Sequence, residues 1–150
     1  MRAVNVHAVA VLLGEKGLLL RGRSGAGKSA LALALLERFR LKGDFAALVA
    51  DDRVLVEACA GRLIARPHPA LAGMIEARGL GILNLRYERA CRLHAIVDVS
   101  APGETPPRLP QEGEKSAEVA GVTLPRVVAA GCDDVSVARI TLFLQGITTN

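Results

Sequence analysis

Tryptophan is absent from this 150-residue sequence, and aromatic residues make up only 3% of it. The core must therefore come from Val, Leu, Ile and Ala, and the 51% hydrophobic fraction is enough to supply it. Phe39, Phe45, Tyr87 and Phe143 are too scattered for a base-stacking platform, and no run of five basic residues occurs. Nucleic acid is thus not an expected partner. The three cysteines, Cys59, Cys91 and Cys132, form no CxxC pair, and the three histidines have no zinc-ligand spacing. Buried, reduced thiols are the default reading. No stretch reaches 18 uninterrupted apolar residues, and no signal-peptide pattern opens the sequence. A cytoplasmic protein with no membrane partner is expected. The net charge of +4 is modest and fits a mixed, solvated surface.

What is present is concentrated in one stretch. Gly22-Arg23-Ser24-Gly25-Ala26-Gly27-Lys28-Ser29 matches the phosphate-loop pattern G-x-x-x-x-G-K-[ST] at every fixed position. Its glycines let the backbone curl so that successive N–H groups face one concavity, which binds phosphate oxygens. Lys28 adds a mobile charge for the outer phosphates, and Ser29 adds a hydroxyl suited to Mg²⁺. Gly22, Ser24, Gly25, Ala26, Gly27, Lys28 and Ser29 are therefore the expected ATP-binding set. The competing reading, a glycine-rich turn that binds nothing, fits the context less well. An apolar run at 17–21 precedes the loop, and an Ala/Leu-rich stretch free of Gly and Pro follows it at 29–39. Strand, loop and helix are the order that aims a helix dipole at phosphate.

The remaining pattern predicts an α/β fold with a mixed β-sheet and flanking helices, in a single unit over 1–150. A strand at 4–13 turns at Gly14–Gly17 into the strand before the loop. The helix should stop near Gly43, a candidate left-handed cap. Strands are predicted at 46–50, 54–57, 63–65, 93–99 and 118–124. A short helix is predicted at 71–76, a glycine-marked loop entering a strand at 78–83, and a last helix at 135–145 capped by Asp133-Asp134. Four prolines and two glycines between 101 and 115 make residues 100–116 an exposed loop.

Asp51 and Asp52 end the apolar strand one step after the phosphate loop. Parallel strand ends share one sheet edge, so these acids should face bound phosphate. Two roles need filling there, Mg²⁺ ligation and acceptance of the attacking hydroxyl's proton. A solvated strand-end turn is the alternative. For Glu76 and Arg78 the residues alone leave a surface ion pair open. For His7 they favour a satisfied core histidine. His68 and His94 read as structural, and Arg86, Arg89 and Arg92 as a solvated basic face.

Four stretches together resemble the C-terminal catalytic domain of HPr kinase/phosphorylase. They are Val6-His7-Ala8-Val9, the phosphate loop, Leu48-Val49-Ala50-Asp51-Asp52-Arg53-Val54, and Ile75-Glu76-Ala77-Arg78-Gly79-Leu80-Gly81-Ile82. The match covers roughly the first hundred residues and fades after Val99. It implies a P-loop kinase-like core and an ATP- and Mg²⁺-dependent protein-serine kinase of the phosphotransferase system. Its partner would be an HPr-type phosphocarrier protein. The resemblance implies Asp51 as the base, with Asp52, Ser29 and Glu76 serving the metal. It also implies that Arg78 neutralises the transferring phosphoryl group and that His7 tunes the aspartates. The family forms hexamers, which leaves a homo-oligomer open.

Against the family pattern, a short form lacking the N-terminal domain and with an abbreviated tail is expected; Ala30 stands where many relatives are acidic, and the connection from Leu83 to Arg92 is short. That short connection leaves at most weak reverse phosphorylase activity expected. A nucleotide-sensing module with little catalysis and a small-molecule P-loop kinase are the alternative functions.

Overall fold

The structure, a computed structural model, describes residues 3–149, and among these residues the chain forms ten strands and two α-helices. The outermost residues of the expected 1–150 unit lie outside the described residues. β1 (Val4–Leu13) and β2 (Lys16–Arg21) form the predicted hairpin, turning at Gly14 with φ 64°. The phosphate loop then leads into α1 (Lys28–Leu41). α1 buries Leu31, Ala32, Leu35, Leu36 and Phe39, a stripe at helical spacing, against Val9, Val11, Leu18, Leu20 and Leu48 of the sheet. Each of these leucines contributes roughly 1.5–3 kcal/mol by leaving water. The helix stops where predicted, with Gly43 at φ 84° and Asp44 N–H returned to the Phe39 carbonyl.

β3 (Ala46–Ala50) pairs with the second half of β1, and β4 (Arg53–Cys59) pairs with its first half. β1 is long enough to serve both, and the chain crosses from one to the other through Asp51 and Asp52. β5 (Arg62–Pro67) returns beside β4 and pairs with β8 (Cys91–Val99), which also pairs in parallel with β2. The strands β2, β1, β4, β5 and β8 therefore close a ring. Ala8, Ala10, Leu19, Val54, Val56, Leu63, Ala65, Leu93 and Ile96 pack together as a second core. Cys91 belongs to it, and burial, with Glu88 nearby, pushes its thiol up to about 12.

The expectation of buried thiols holds for Cys91 and fails for Cys59 and Cys132, which are exposed. Two predictions of secondary structure also fail. Residues 71–76 form no helix: a 3₁₀ turn at Pro69–Leu71 is followed by β6 (Met74–Ala77), which pairs with β7 (Gly81–Asn84). Gly73 at φ 77° breaks any helix, and burial alternates along Met74–Ala77 with the period of a strand. The predicted strand at 118–124 is two strands, β9 (Ser116–Val119) and β10 (Val122–Ala129). They are joined by Ala120 and Gly121, both with positive φ. α2 (Asp134–Gln145) starts as expected, the Asp133 carboxylate accepting from Ser136 N–H at 2.6 Å. Residues 100–115 are mostly exposed, with a 3₁₀ turn at Glu112–Glu114.

The contact between β2 and β8 is tight enough to exclude a methyl group. A Cβ on Gly17 would lie 2.1 Å from the Arg92 carbonyl oxygen and 2.9 Å from Cys91 Sγ. Gly17→Ala is therefore expected to destabilise the fold by about 1–3 kcal/mol or more, read as a lower urea midpoint. The Gly17 N–H donates to buried His94 Nδ1 at 3.2 Å. Burial holds His94 below its ordinary 6.5, and the positive charges of Arg92 and Lys16 add to this. The folded state thus keeps His94 neutral while the unfolded chain takes up a proton below 6.5. Stability should be full above that value and fall as acidification proceeds towards the depressed folded value. His94→Asn should flatten the decline in urea midpoint between about pH 7 and pH 5.

Candidate active site

The phosphate loop is wound by backbone geometry that its glycines supply. Gly22, Gly25 and Gly27 have φ of 156°, 85° and 97°. Gly22 must also be small, because a Cβ there would lie 2.8 Å from the Val99 carbonyl oxygen. Gly27 caps α1 with no side-chain bond to the first turn, leaving its amides available to an anion. Lys28 folds back over the loop and donates to the Gly22 carbonyl at 2.7 Å and the Arg23 carbonyl at 3.1 Å. Burial lowers its pKa, and the charges of Asp51 and Asp52 oppose that.

The loop is braced from below. Arg21, its entry residue, makes two 2.8 Å bonds to the Asp98 carboxylate, which Arg126 also contacts. Burial alone would raise Asp98, but hydrogen bonds and charge from the two arginines hold it below its ordinary value. This clamp joins the ends of β2 and β8 to β10. Its members are far apart in sequence, so no local pattern announces it.

Asp51 and Asp52, although adjacent, do different things. Asp51 is buried: its Oδ1 accepts from Ser29 Oγ at 2.9 Å and its Oδ2 from the Glu76 N–H at 3.2 Å. Asp52 sits at the centre of a three-residue turn, closed by Arg53 N–H on the Asp51 carbonyl at 2.8 Å, with φ 68°. Such a backbone costs about 1–3 kcal/mol outside glycine and clusters at functional sites. It swings Asp52 out to a half-exposed position, where Oδ1 lies 3.2 Å from His7 Nδ1. His7 reaches it because His7 and Arg53 are register partners across β1 and β4.

These groups share one cleft of about 470 Å³. Its lining includes Ser24, Gly25, Gly27, Lys28 and Ser29 from the phosphate loop and the start of α1, His7 from β1, Asp51 and Asp52 from the β3–β4 crossing, and Glu76 and Arg78 from the β6–β7 hairpin. Gly22 and Ala26 do not line it. Gly22 offers its carbonyl to Lys28, and Ala26 packs into the core. Leu71, Met74, Ile75 and Ile82 form an apolar wall that sequence reasoning missed. Its signal in the sequence is the alternation along 74–77, which overlaps the helix predicted at 71–76. Ser29, Asp51 and Glu76 place hard oxygen donors in the cleft, and no group of three or more His, Cys, Asp or Glu residues suited to a metal occurs among the described residues. This donor set fits Mg²⁺, which keeps several waters and shares its sphere with substrate phosphates. Arg86 and Arg89 are exposed and lie outside the cleft, as does Arg92. The connection after β7 is pinned, with Leu85 N–H bonded to the Gly73 carbonyl and Glu88 N–H to the Leu48 carbonyl.

Residues 1–97 match the family described as HPr serine kinase C-terminal domain. An HPr kinase/phosphorylase from Aromatoleum aromaticum is 39% identical over 163 residues, an alignment covering 96% of this chain and 50% of that protein. One from an Azoarcus species is 39% identical over 142 residues, covering 85% and 43%. The chain thus spans about half the length of the relatives it matches. In fold it is similar to the HPr(Ser) kinase/phosphatase of Coxiella burnetii, with a TM-score of 0.76, 21% identity and 95% of each chain covered.

Proposed function

We propose, from the premise that this chain belongs to the HPr serine kinase C-terminal domain family, that it transfers the γ-phosphoryl group of ATP to a serine of an HPr-type phosphocarrier protein. One observation carries the reading: a half-exposed carboxylate, Asp52, held by His7 in the same cleft as a complete phosphate loop. A catalyst needs a carboxylate free to take the acceptor's proton, a requirement that a nucleotide sensor does not share.

The roles of the two aspartates follow from their partners and differ from the sequence expectation. Both oxygens of Asp51 already accept hydrogen bonds, one from the phosphate-loop hydroxyl. Asp51 therefore suits orientation of Ser29 and, with Ser29 and Glu76, a Mg²⁺ site. Bound there, Mg²⁺ would supply neutralisation of charge on the phosphates. Asp52 suits the base. The serine hydroxyl gives its proton to the Asp52 carboxylate as its oxygen bonds to the γ-phosphorus, and the bond to the β-phosphate oxygen breaks to release ADP. His7 holds one Asp52 oxygen and leaves the other to the acceptor. Lys28 and the loop amides stabilise the leaving phosphates, and Arg78 the equatorial oxygens.

The apolar wall of this cleft, with Ile82 exposed and Leu80 exposed on the same hairpin, favours a protein acceptor over a small hydroxyl compound. Reverse phosphorylase activity should be weak, because the connection after β7 is short and tied back by two backbone hydrogen bonds, which limits the geometries it can offer inorganic phosphate. The test is ATP consumption with Mg²⁺, in parallel, with HPr-type proteins and with small hydroxyl acceptors. Consumption dependent on the protein acceptor is expected. Equal turnover with small acceptors would overturn the assignment.

A further inference from the structure

The donor site has two flanks, and only one is occupied by the machinery described above. β1 runs antiparallel to both β2 and β3, and β8 pairs in parallel with β2 and with β10. The strands β3, β2, β8 and β10 therefore point the same way, and their carboxyl ends share one edge. Along that edge the order is Asp51 and Asp52 after β3, the phosphate loop after β2, Ser100 after β8, and residues 130–133 after β10. The carboxylates stand on one side of the phosphate loop and the β10–α2 connection on the other.

That connection rests directly on the loop. A Cβ on Gly27 would lie 3.8 Å from the Cys132 backbone nitrogen, and one on Gly131 would lie 3.9 Å from the Ala26 carbonyl oxygen. Ser100 N–H donates to the Ala129 carbonyl at 2.8 Å, tying the ends of β8 and β10 together. Cys132, Asp133 and Asp134 are exposed here. No Lys or Arg occurs between residues 127 and 138. A second phosphate site would need cations, whereas hydroxyl and exocyclic amino groups need acceptors, which the exposed Asp134 carboxylate supplies.

A nucleoside triphosphate bound across the loop has its reacting phosphoryl group at the carboxylates, so its other end must leave over the opposite flank. We propose that residues 130–134, the β10–α2 connection, form the wall against which the ribose and base of the nucleotide rest. The proposal rests on the kinase reading and adds the nucleoside subsite to it. It also makes Cys132 a reporter of nucleotide binding.

The experiment compares alkylation of Cys132 and of exposed Cys59 by iodoacetamide, read by mass spectrometry, with Mg²⁺ and ATP, ADP or tripolyphosphate. Partial burial, with Asp133 and Asp134 beside it, pushes the Cys132 thiol up, so the reaction is run at alkaline pH. Each probe is present at about ten times its dissociation constant, measured by calorimetry. ATP and ADP should then slow Cys132 alkylation by about tenfold, while tripolyphosphate changes it little and Cys59 reacts at one rate throughout. Cys132→Trp should weaken ATP by about tenfold and leave tripolyphosphate affinity unchanged, a shift of about 1.4 kcal/mol for the nucleoside alone. Equal protection by tripolyphosphate, or tripolyphosphate binding with no protection by ATP, would overturn the nucleoside wall and spare the phosphate site. Failure of both ATP and tripolyphosphate to bind would overturn the kinase reading along with it.

Discussion

Lys28→Ala should cut phosphoryl transfer by about 10²–10³-fold, the range seen when one preorganised donor to developing charge is removed. The side chain is buried and its ammonium already lies against the loop, on the Gly22 and Arg23 carbonyls. A bound triphosphate offers a stronger, charged acceptor a short rotation away. Moving from neutral carbonyls to phosphate gains a charge-assisted bond worth about 1.5–3 kcal/mol, so ATP affinity should fall by roughly 10–150-fold. Isothermal calorimetry with ATP, together with a urea melt to show the variant folded, checks this. A folded variant with parental ATP affinity and turnover contradicts it.

Asp52→Asn should lower turnover by about 10²–10⁴-fold at unchanged ATP affinity, since a general base acts on the acceptor and not on the nucleotide. The amide is isosteric and keeps an oxygen for His7, so the strained turn should survive. Asp51→Asn should behave differently. Both Asp51 oxygens accept, so its amide nitrogen must face either the Ser29 hydroxyl or the Glu76 N–H. The Ser29 hydroxyl can rotate to donate elsewhere, but the Glu76 N–H cannot. The loss should therefore appear as lower stability and weaker Mg²⁺-dependent ATP binding. Steady-state kinetics and calorimetry on both variants separate the roles. If Asp51→Asn spares ATP binding and abolishes turnover while Asp52→Asn turns over normally, the roles are the reverse.

This division was not legible in the sequence. Two consecutive aspartates at a strand end look equivalent, and what separates them is the positive φ of Asp52, which local composition does not announce. The phosphate loop, α1, β3 and the Asp133 cap were legible, because each is a local pattern of glycine spacing, apolar period or capping residue. The closed ring was not, since the pairings of β8 with β2 and β5 join segments distant in sequence. β6 escaped because a four-residue strand with apolar Met74 and Ile75 side by side reads equally well as part of a helix. The 120–121 turn escaped because Ala120 takes a backbone conformation that alanine seldom adopts. The Arg21–Asp98–Arg126 clamp needed three strand ends to be brought together first.

The most direct test of the account is a single-turnover reaction of ATP labelled in its γ-phosphate with excess protein, Mg²⁺ and an HPr-type acceptor, followed by mapping of the label. Label is expected on one serine side chain of the acceptor, at a rate about a hundredfold or more lower with Asp52→Asn. Label that stays in ATP, or that appears only as inorganic phosphate with the acceptor unmodified, would contradict it.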